Sequence, residues 1–441
     1  MLKAIENFTN NFLKDTENKD IVIINHHDTD GITSAAIMIK ALQRKNRIFS
    51  VKIVKNLEPD FIEKLPEDKV LLFLDLASAS LNYLENKKTQ VYILDHHELH
   101  QKIPANIQII NPHLFNEEPV CSAGLSYLFA KSLNEKNKDL ANLAVIGMVG
   151  DMLDQEVGRI NNEILSDAEV SIKKGPLLYP ATRPLDKVLM YSSGFYIPGV
   201  TGSHRGAVSL LKEAGIEKIN GRFYKNLIEL TDEERSRLIT ALMLRVIKKS
   251  NNFNIIGNIY LVKFFNKLED SRELSATINA CSRLDKSDTA ISFCLGNRDS
   301  MKDVEDIYTS YKQHLISALD LIANTKKIEG KEYVIINAKD KIKDTIIGTV
   351  ASIISNSHVY DEGTVIVTMA YSEDKIKVSV RIAGRNGRNL RDLISSVVAE
   401  IGGEAGGHHL AAGCLIKKEQ ESKFLEILRQ KLEISTIKVS A

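Results

Sequence analysis

The sequence predicts an α/β protein with a mostly parallel N-terminal sheet, a mainly helical middle region and a C-terminal α/β domain. Three observations predict it. Short apolar runs alternate with helical spacing from Ile21 to about Asp154, as an open sheet with crossover helices requires. From about 155 to 330 the apolar residues mostly recur at helical intervals, and from about 331 the alternation of short runs and helices returns. At 441 residues the chain is too long for one ordinary core. The domain lines are therefore drawn at 1–190, 191–330 and 331–441.

In the first region the candidate strands are 21–24, 51–54, 70–74, 91–94 and 107–110. Between the first two, Ala36, Ile39 and Leu42 recur at near-helical spacing. Ser122 to Leu133 and Leu140 to Val149 read as helices as well. A sheet with such continuous apolar strands is expected to be covered on both faces. The middle region opens on a long loop marked by Gly194, Pro198-Gly199 and Thr201-Gly202-Ser203. Thr231-Asp232-Glu233-Glu234 then forms a capping box ahead of Leu238, Leu242 and Val246. Apolar runs at 255–262 and 289–295 and a long helix near 303–324 complete it. The last region carries runs at 332–336, 364–369 and 375–381, helices near 345–355 and 389–400, and an amphipathic helix beyond Gln420.

Composition narrows the function classes. Lys and Arg number 58 against 57 Asp and Glu, a formal net charge of +1. Such a chain has no global basic field, so a polyanion must be held by local clusters. The four cysteines, Cys121, Cys281, Cys294 and Cys414, form no CxxC pair, which fits a reducing cytoplasm and argues against a structural zinc site. No segment approaches the roughly 20 apolar residues of a membrane span, and the N-terminal MLKAIENFTNNFLKD carries acids within an amphipathic pattern. A soluble, cytoplasmic protein without a membrane partner is the expectation.

The chemistry-bearing residues cluster where apolar elements stop. His26, Asp28 and Asp30 follow Ile21–Ile24, Asp75 follows Val70–Leu74, Asp95, His96 and His97 follow Val91–Leu94, and Asp151 follows Ile146–Gly150. Strand ends that share a crevice would collect four to five carboxylates there. These cannot all ionise side by side unless cations neutralise them. Carboxylate with imidazole suits Mn²⁺, Mg²⁺ or a related divalent ion. Singly, an Asp after a strand is as readily a helix N-cap, and a His-His doublet is more often a surface or core feature. Their joint occurrence is the signal.

Asp95-His96-His97 is similar to the motif that names the DHH phosphoesterase superfamily, and His26-His27-Asp28-Thr29-Asp30-Gly31 resembles its first motif. Asp75 in Leu74-Asp75-Leu76 and Asp151 in Gly150-Asp151 resemble the second and fourth. Gly406-Gly407-His408-His409-Leu410-Ala411-Ala412-Gly413 resembles the glycine-histidine signature of the associated DHHA1-like substrate-binding domain, with Ser379-Val380-Arg381 matching its upstream element. Arg272-Glu273-Leu274 through Asn279-Ala280-Cys281 to Leu295-Gly296, together with His26 where bacterial RecJ has an Asp, resembles the archaeal RecJ-like nucleases, some of which associate with the GINS replication complex.

The resemblance implies two Mn²⁺, or Mg²⁺ or another divalent ion. His26, Asp28 and Asp75 would hold one; Asp30, Asp75, His96 and Asp151 would hold the other, with Asp75 bridging. Asp95 would orient His96, and His97 would contact the scissile phosphate. Asp28, Asp75, Asp95, His96 and His97 form the implied catalytic set, while His27 fills a variable position and receives no role. Ser379, Arg381, Gly406, Gly407 and His408 would bind substrate phosphates, with Arg385, Arg388 and Arg391 as further basic candidates. An active cleft between the two chemical halves would suit a single strand entering end-first. The expected activity is thus exonucleolytic hydrolysis of single-stranded DNA or RNA in replication or repair. The alternatives are a small-nucleotide or oligonucleotide phosphatase and a replication-complex scaffold.

Overall fold

The computed structural model describes residues 1–99, 101–192, 197–219, 221–246, 255–357, 359–384 and 386–434. Gly194 and Arg385, singled out above, lie outside them. The chain divides into two compact units: one of Met1–Ser192 with Ile197–Tyr308, the other running from Thr309.

The first unit is built on five parallel strands, β1 (Ile21–His26), β2 (Phe49–Val54), β3 (Val70–Leu74), β4 (Val91–Leu94) and β5 (Ile107–Ile110), in the order β2-β1-β3-β4-β5. The apolar runs of β1, β3 and β4 are continuous because both faces are covered. Ile21, Ile23, Val70, Leu72, Leu74, Tyr92 and Leu94 face a core shared with α1 (Leu2–Asp15), α2 (Thr29–Arg44) and the helices Ser122–Leu133 and Ala141–Gly150. The alternate residues Val22, Ile24, Leu71, Phe73, Val91 and Ile93 pack on Ile62, Leu65, Leu81 and Leu84. Side-chain period two thus sends each strand into two cores at once, and the polar residues are pushed to the strand ends.

The middle of the chain is mainly helical, but its strand Ile256–Phe264 forms an antiparallel sheet with Val170–Pro176 and Lys267–Asp270. Val170–Pro176 was not legible as a strand, because it carries Lys173, Lys174 and Gly175 instead of an apolar run. The expected capping box is present: Glu234 N–H donates to Thr231 Oγ1 at 3.2 Å and Thr231 N–H to Glu234 Oε2 at 2.9 Å. Helix Ser271–Arg283 packs on the first unit's core through Leu274, Ile278 and Cys281. The compact units are cut near Tyr308, inside the helix Ser300–Asn324.

The second unit is a six-stranded mixed sheet in the order Ile328–Gly330, Tyr333–Asn337, Val365–Ser372, Lys375–Ile382, Ala411–Lys417, Glu404–His408. One face, with Val378, Val380 and Cys414, is buried under the helices Leu390–Val398 and Glu421–Glu433. The alternate residues of Lys375–Ile382, including Ser379 and Arg381, take the other face, beside Gly348 of the helix Asp344–Asn356.

Candidate metal centre

The parallel sheet brings the acids and imidazoles that follow its strands together with Asp151 in one cluster. At the end of β1, Asp28 is the N-cap of α2, where its Oδ1 accepts the Gly31 N–H at 3.0 Å. The capping and ligand readings of this residue are compatible, because the second oxygen, Oδ2, stands 3.1 Å from His26 Nδ1. Asp75 caps no helix. It follows β3 with φ 63°, in the left-handed region, and is 3% exposed. Asp151 is the C-cap of the helix Ala141–Gly150; it reaches the cluster from a helix end while the other ligand segments follow strands or open α2.

Asp75 lies at the middle. Its Oδ2 is 3.3 Å from His26 Nδ1, and its Oδ1 is 3.3 Å from His96 Nε2 and accepts the Ser122 hydroxyl at 3.2 Å. His96 Nδ1 in turn is 3.4 Å from Asp151 Oδ2, and its Nε2 is 3.8 Å from Asp30 Oδ2. Among the described residues three donor groups have candidate ligand atoms within 4.8 Å of one another: His26 with Asp28 and Asp75, Asp30 with His96 and Asp151, and Asp75 with Asp95, His96 and His97. The two oxygens of Asp75 face the first two of these, one each.

Asp30 sits under the N-terminus of the helix Ser122–Leu133, accepting Ser122 N–H at 2.7 Å and Ala123 N–H at 2.8 Å. Burial nevertheless pushes its carboxyl well above the usual range, with Asp75 and Asp151 adding to the rise. Burial also lifts Asp151 to about 6, against the pull of His96. Burial works to lower the imidazoles, but Asp75, Asp151 and Asp30 raise His96 to about 10, and Asp28 and Asp75 raise His26. The cluster thus gathers more carboxylates than can ionise side by side unless positive charge neutralises them. Its oxygen and imidazole donors fit a hard or borderline divalent ion. The neighbouring Cys121 thiol, pushed up by burial and by Asp30 and Asp151, is not ionised to compete.

Asp95 is placed differently from the expectation. Its Oδ1 accepts the His97 ring nitrogen Nδ1 at 2.7 Å and the His96 backbone N–H at 2.8 Å, and its Oδ2 accepts the Ser78 N–H at 2.9 Å. The ring that Asp95 orients is that of His97. Burial opposes ionisation of Asp95, but these bonds from His97 and Ser78 hold its carboxyl well below the usual range. The same bond raises His97, whose side chain remains half exposed. Asn111 donates to the His97 carbonyl at 2.8 Å and steadies the turn.

In the second unit, Ser379 pairs with Gly413, which pairs with Gly406, and Arg381 pairs with Ala411, which pairs with His408. Paired positions share a face, so Ser379, Arg381, Gly406 and His408 lie on one face over a floor of small residues. Gly406 has open space where a side chain would begin. Gly407 is at φ 124°, and a side chain there would meet the Ala411 carbonyl at 2.3 Å, so glycine is required. Arg381 donates from Nε to Ser352 Oγ at 2.9 Å and from Nη1 to its neighbour's carbonyl at 2.9 Å. Arg388 departs from the phosphate-gripping expectation. Its guanidinium caps the last helix, donating to the carbonyls of Lys431 at 3.0 Å and Leu432 at 3.3 Å.

Sequence reasoning missed Ser122 and Ala123, whose backbone and hydroxyl groups hold Asp30 and Asp75. The available signal was Cys121-Ser122 opening an apolar helix, read only as a helix start. It also missed the strands Glu404–His408 and Ala411–Lys417, where glycine and alanine leave no apolar run.

Residues 20–148 match the DHH family, N-terminal domain; residues 178–259 match the DHH-CID domain; and residues 330–433 match the DHHA1 domain. An uncharacterized protein of Methanocaldococcus jannaschii is 28% identical over 434 residues, covering 92% of this chain and 91% of its own. The fold is similar to that of RecJ from Thermus thermophilus in complex with Mn²⁺, with a TM-score of 0.62 and 16% identity over 98% of this chain. The match spans only 55% of that RecJ, so this chain corresponds to about half its length. CDC45 from Entamoeba histolytica gives a TM-score of 0.66 at 13% identity, covering 98% of this chain and 99% of its own. The DHH, DHH-CID and DHHA1 domains thus follow one another in order along this chain, whose fold is similar to that of RecJ throughout its length.

Proposed function

We propose that this chain is an exonuclease that hydrolyses phosphodiester bonds of single-stranded DNA or RNA from an end, with two divalent cations held by His26, Asp28, Asp30, Asp75, His96 and Asp151. The observation that carries the reading is the two-sided placement of Asp75, with Oδ2 at His26 and Oδ1 at His96. A carboxylate so shared is what a pair of ions ~3.5–4 Å apart needs. When bound, such ions supply Lewis acidity toward a phosphoryl oxygen and lower the pKa of a water molecule. The protein's own groups do the rest. His97, whose imidazole the Asp95 carboxylate raises, would donate from the nitrogen opposite that bond to a non-bridging phosphate oxygen. Ser122 and the helix it opens hold Asp30 and Asp75 in place as charge changes around them.

Ser379, Arg381, Gly406, Gly407 and His408 receive substrate phosphates on the small-residue floor of the second unit. Arg381→Ala should weaken strand binding and lower the salt slope by about 1, with Mn²⁺ affinity unchanged. The setting we infer is cytoplasmic replication or repair, with a GINS-type assembly as a candidate partner. The similarity in fold to CDC45 keeps a scaffold role in view, but an inert scaffold has no use for the complete ligand set.

The test is incubation of end-labelled single-stranded DNA and RNA with Mn²⁺, beside Asp75→Asn. Asparagine tolerates the left-handed backbone found at this position, whereas alanine would add strain. Terminal loss by the wild type only is expected. Turnover restricted to dinucleotides would replace the reading by the phosphatase, and binding without cleavage by the scaffold.

A further inference from the structure

Thr29 lies between two ligands, Asp28 and Asp30, and is 1% exposed. Its backbone N–H donates to Asn279 Oδ1 at 3.1 Å, its hydroxyl donates to the Ser275 carbonyl at 2.9 Å, and the Ser275 hydroxyl donates back to Thr29 Oγ1 at 3.3 Å. Both partners are on the helix Ser271–Arg283, some 250 residues along the chain. On its other side Thr29 presses on Gly150. A side chain begun at Gly150 would lie 2.8 Å from Thr29 Cγ2, 2.9 Å from Thr29 Cβ and 3.0 Å from Ser275 Oγ. Gly150 directly precedes the ligand Asp151. One residue without a ligand atom therefore touches both ligand-bearing segments and is fixed from outside by a third helix.

The orientation of the Asn279 amide follows from chemistry. Thr29 N–H can only donate, so the atom facing it must be the carbonyl oxygen of the amide. That bond satisfies the backbone N–H of Thr29, the first residue of α2, while Asp28 itself satisfies that of Gly31. Asp28 and Asp30 fall in different donor groups but only two residues apart, so the backbone conformation through Thr29 sets their separation.

We propose that Asn279, with Ser275, is a positioning residue for the metal centre: its Oδ1 locks the Asp28-Thr29-Asp30 segment and so sets the spacing of the two ion sites. The inference rests on the two-ion reading of the cluster, but not on the nature of the substrate. Removing the acceptor frees the ligand loop without touching a ligand, and partners that orient ligands are typically worth about 10–100-fold in metal affinity.

The test is Mn²⁺ binding to the full chain by calorimetry without substrate, together with kcat and KM, for Asn279→Ala and Asn279→Asp. Asp keeps an oxygen acceptor for Thr29 N–H. The expected result is about tenfold weaker Mn²⁺ binding and a lower kcat for the alanine variant, with strand KM unchanged and affinity recovered by the aspartate variant. Wild-type Mn²⁺ affinity in Asn279→Ala overturns the proposal. So does equal loss of kcat in both variants at unchanged affinity, which would make the amide a donor to substrate. A far-UV spectrum and melting curve for each variant, with Ser275→Ala as a second way to loosen the same contact, separate mispositioning from misfolding: a variant that binds weakly only because it is unfolded counts against the proposal unless the folded Ser275→Ala also binds weakly. If no variant and no wild type cleaves a strand but Mn²⁺ affinities follow the predicted order, the nuclease reading fails and the positioning role stands.

Discussion

The two histidine doublets, His26-His27 and His96-His97, each follow a buried parallel strand, yet only one of them engages both rings in polar contacts. In each pair the first ring enters the cluster around Asp75. The second rings differ in what they find. His97 meets the Asp95 carboxylate at 2.7 Å and is raised. His27 meets no carboxylate bond; burial, with His26 and Arg283 beyond it, drives its imidazole down to about 3, and its Nδ1 is buried without a partner. A doublet becomes a working pair when a local acid is supplied for its second member, and here the acid is one residue upstream of the doublet.

The largest expected effect breaks the feature that the doublets share. His96→Ala removes the ring that stands between Asp75, Asp30 and Asp151, and should cost about 10³-fold or more in kcat with the protein still folded. Steady-state hydrolysis of a labelled strand measures it, and activity within tenfold of wild type would remove His96 from the centre. Next comes the feature that separates the doublets. Asp95→Asn keeps the shape but lets the His97 ring lose its proton, and should cost roughly 10–100-fold, with Mn²⁺ affinity little changed. Loss of Mn²⁺ affinity instead would return Asp95 to the role of orienting His96.

The first rings give a third prediction, in pH. Both His26 and His96 are raised by the carboxylates around them, so each ligand ring carries a proton that a cation must displace. Proton release on binding makes affinity rise with pH, by about tenfold per pH unit for each proton displaced. Calorimetry of Mn²⁺ binding in buffers of different ionisation enthalpy should count at least one proton released near pH 7. A pH-independent affinity would mean that neither ring is a ligand.

Much of this contrast was legible in the sequence and part of it was not. The strands β1, β3 and β4 were readable because both faces are buried, which makes the runs unbroken, and the acids after them stood out against that background. Asp75 directly follows β3 and Asp95 directly follows β4. What escaped were contacts across large sequence distances. Ser122 holds Asp75 from 47 residues away and Asn279 holds Thr29 from 250 away, and a serine opening a helix or an asparagine inside one looks like ordinary local structure. The ring partner of Asp95 escaped for a different reason. His96 and His97 both lie within two residues of Asp95, and only the turn geometry selects which imidazole meets the carboxylate.

The smallest expected effect is the sharpest test of the comparison, because it concerns the doublet member that has no assigned work. His27 packs edge-to-face on His26, with ring centroids 4.6 Å apart and planes at 85°. That contact helps hold the ligand ring, and it needs an aromatic edge and no proton. His27→Phe preserves the ring and removes the buried Nδ1 that finds no partner. Leaving such an atom unmade costs about 1–3 kcal/mol, so the larger phenylalanine can be accommodated with stability unchanged or raised by up to about 1 kcal/mol. Activity should stay within about threefold of wild type, since one pKa-neutral packing group replaces another. The same aromatic exchange at His97 has no such freedom: His97→Phe leaves Asp95 with a buried charge and no ring donor, and should lose activity roughly as Asp95→Asn does. Paired turnover assays and melting curves on the two phenylalanine variants settle the matter. Equal losses would mean that the second ring of each doublet does the same work, and the Asp95 carboxylate would then not be what tells them apart.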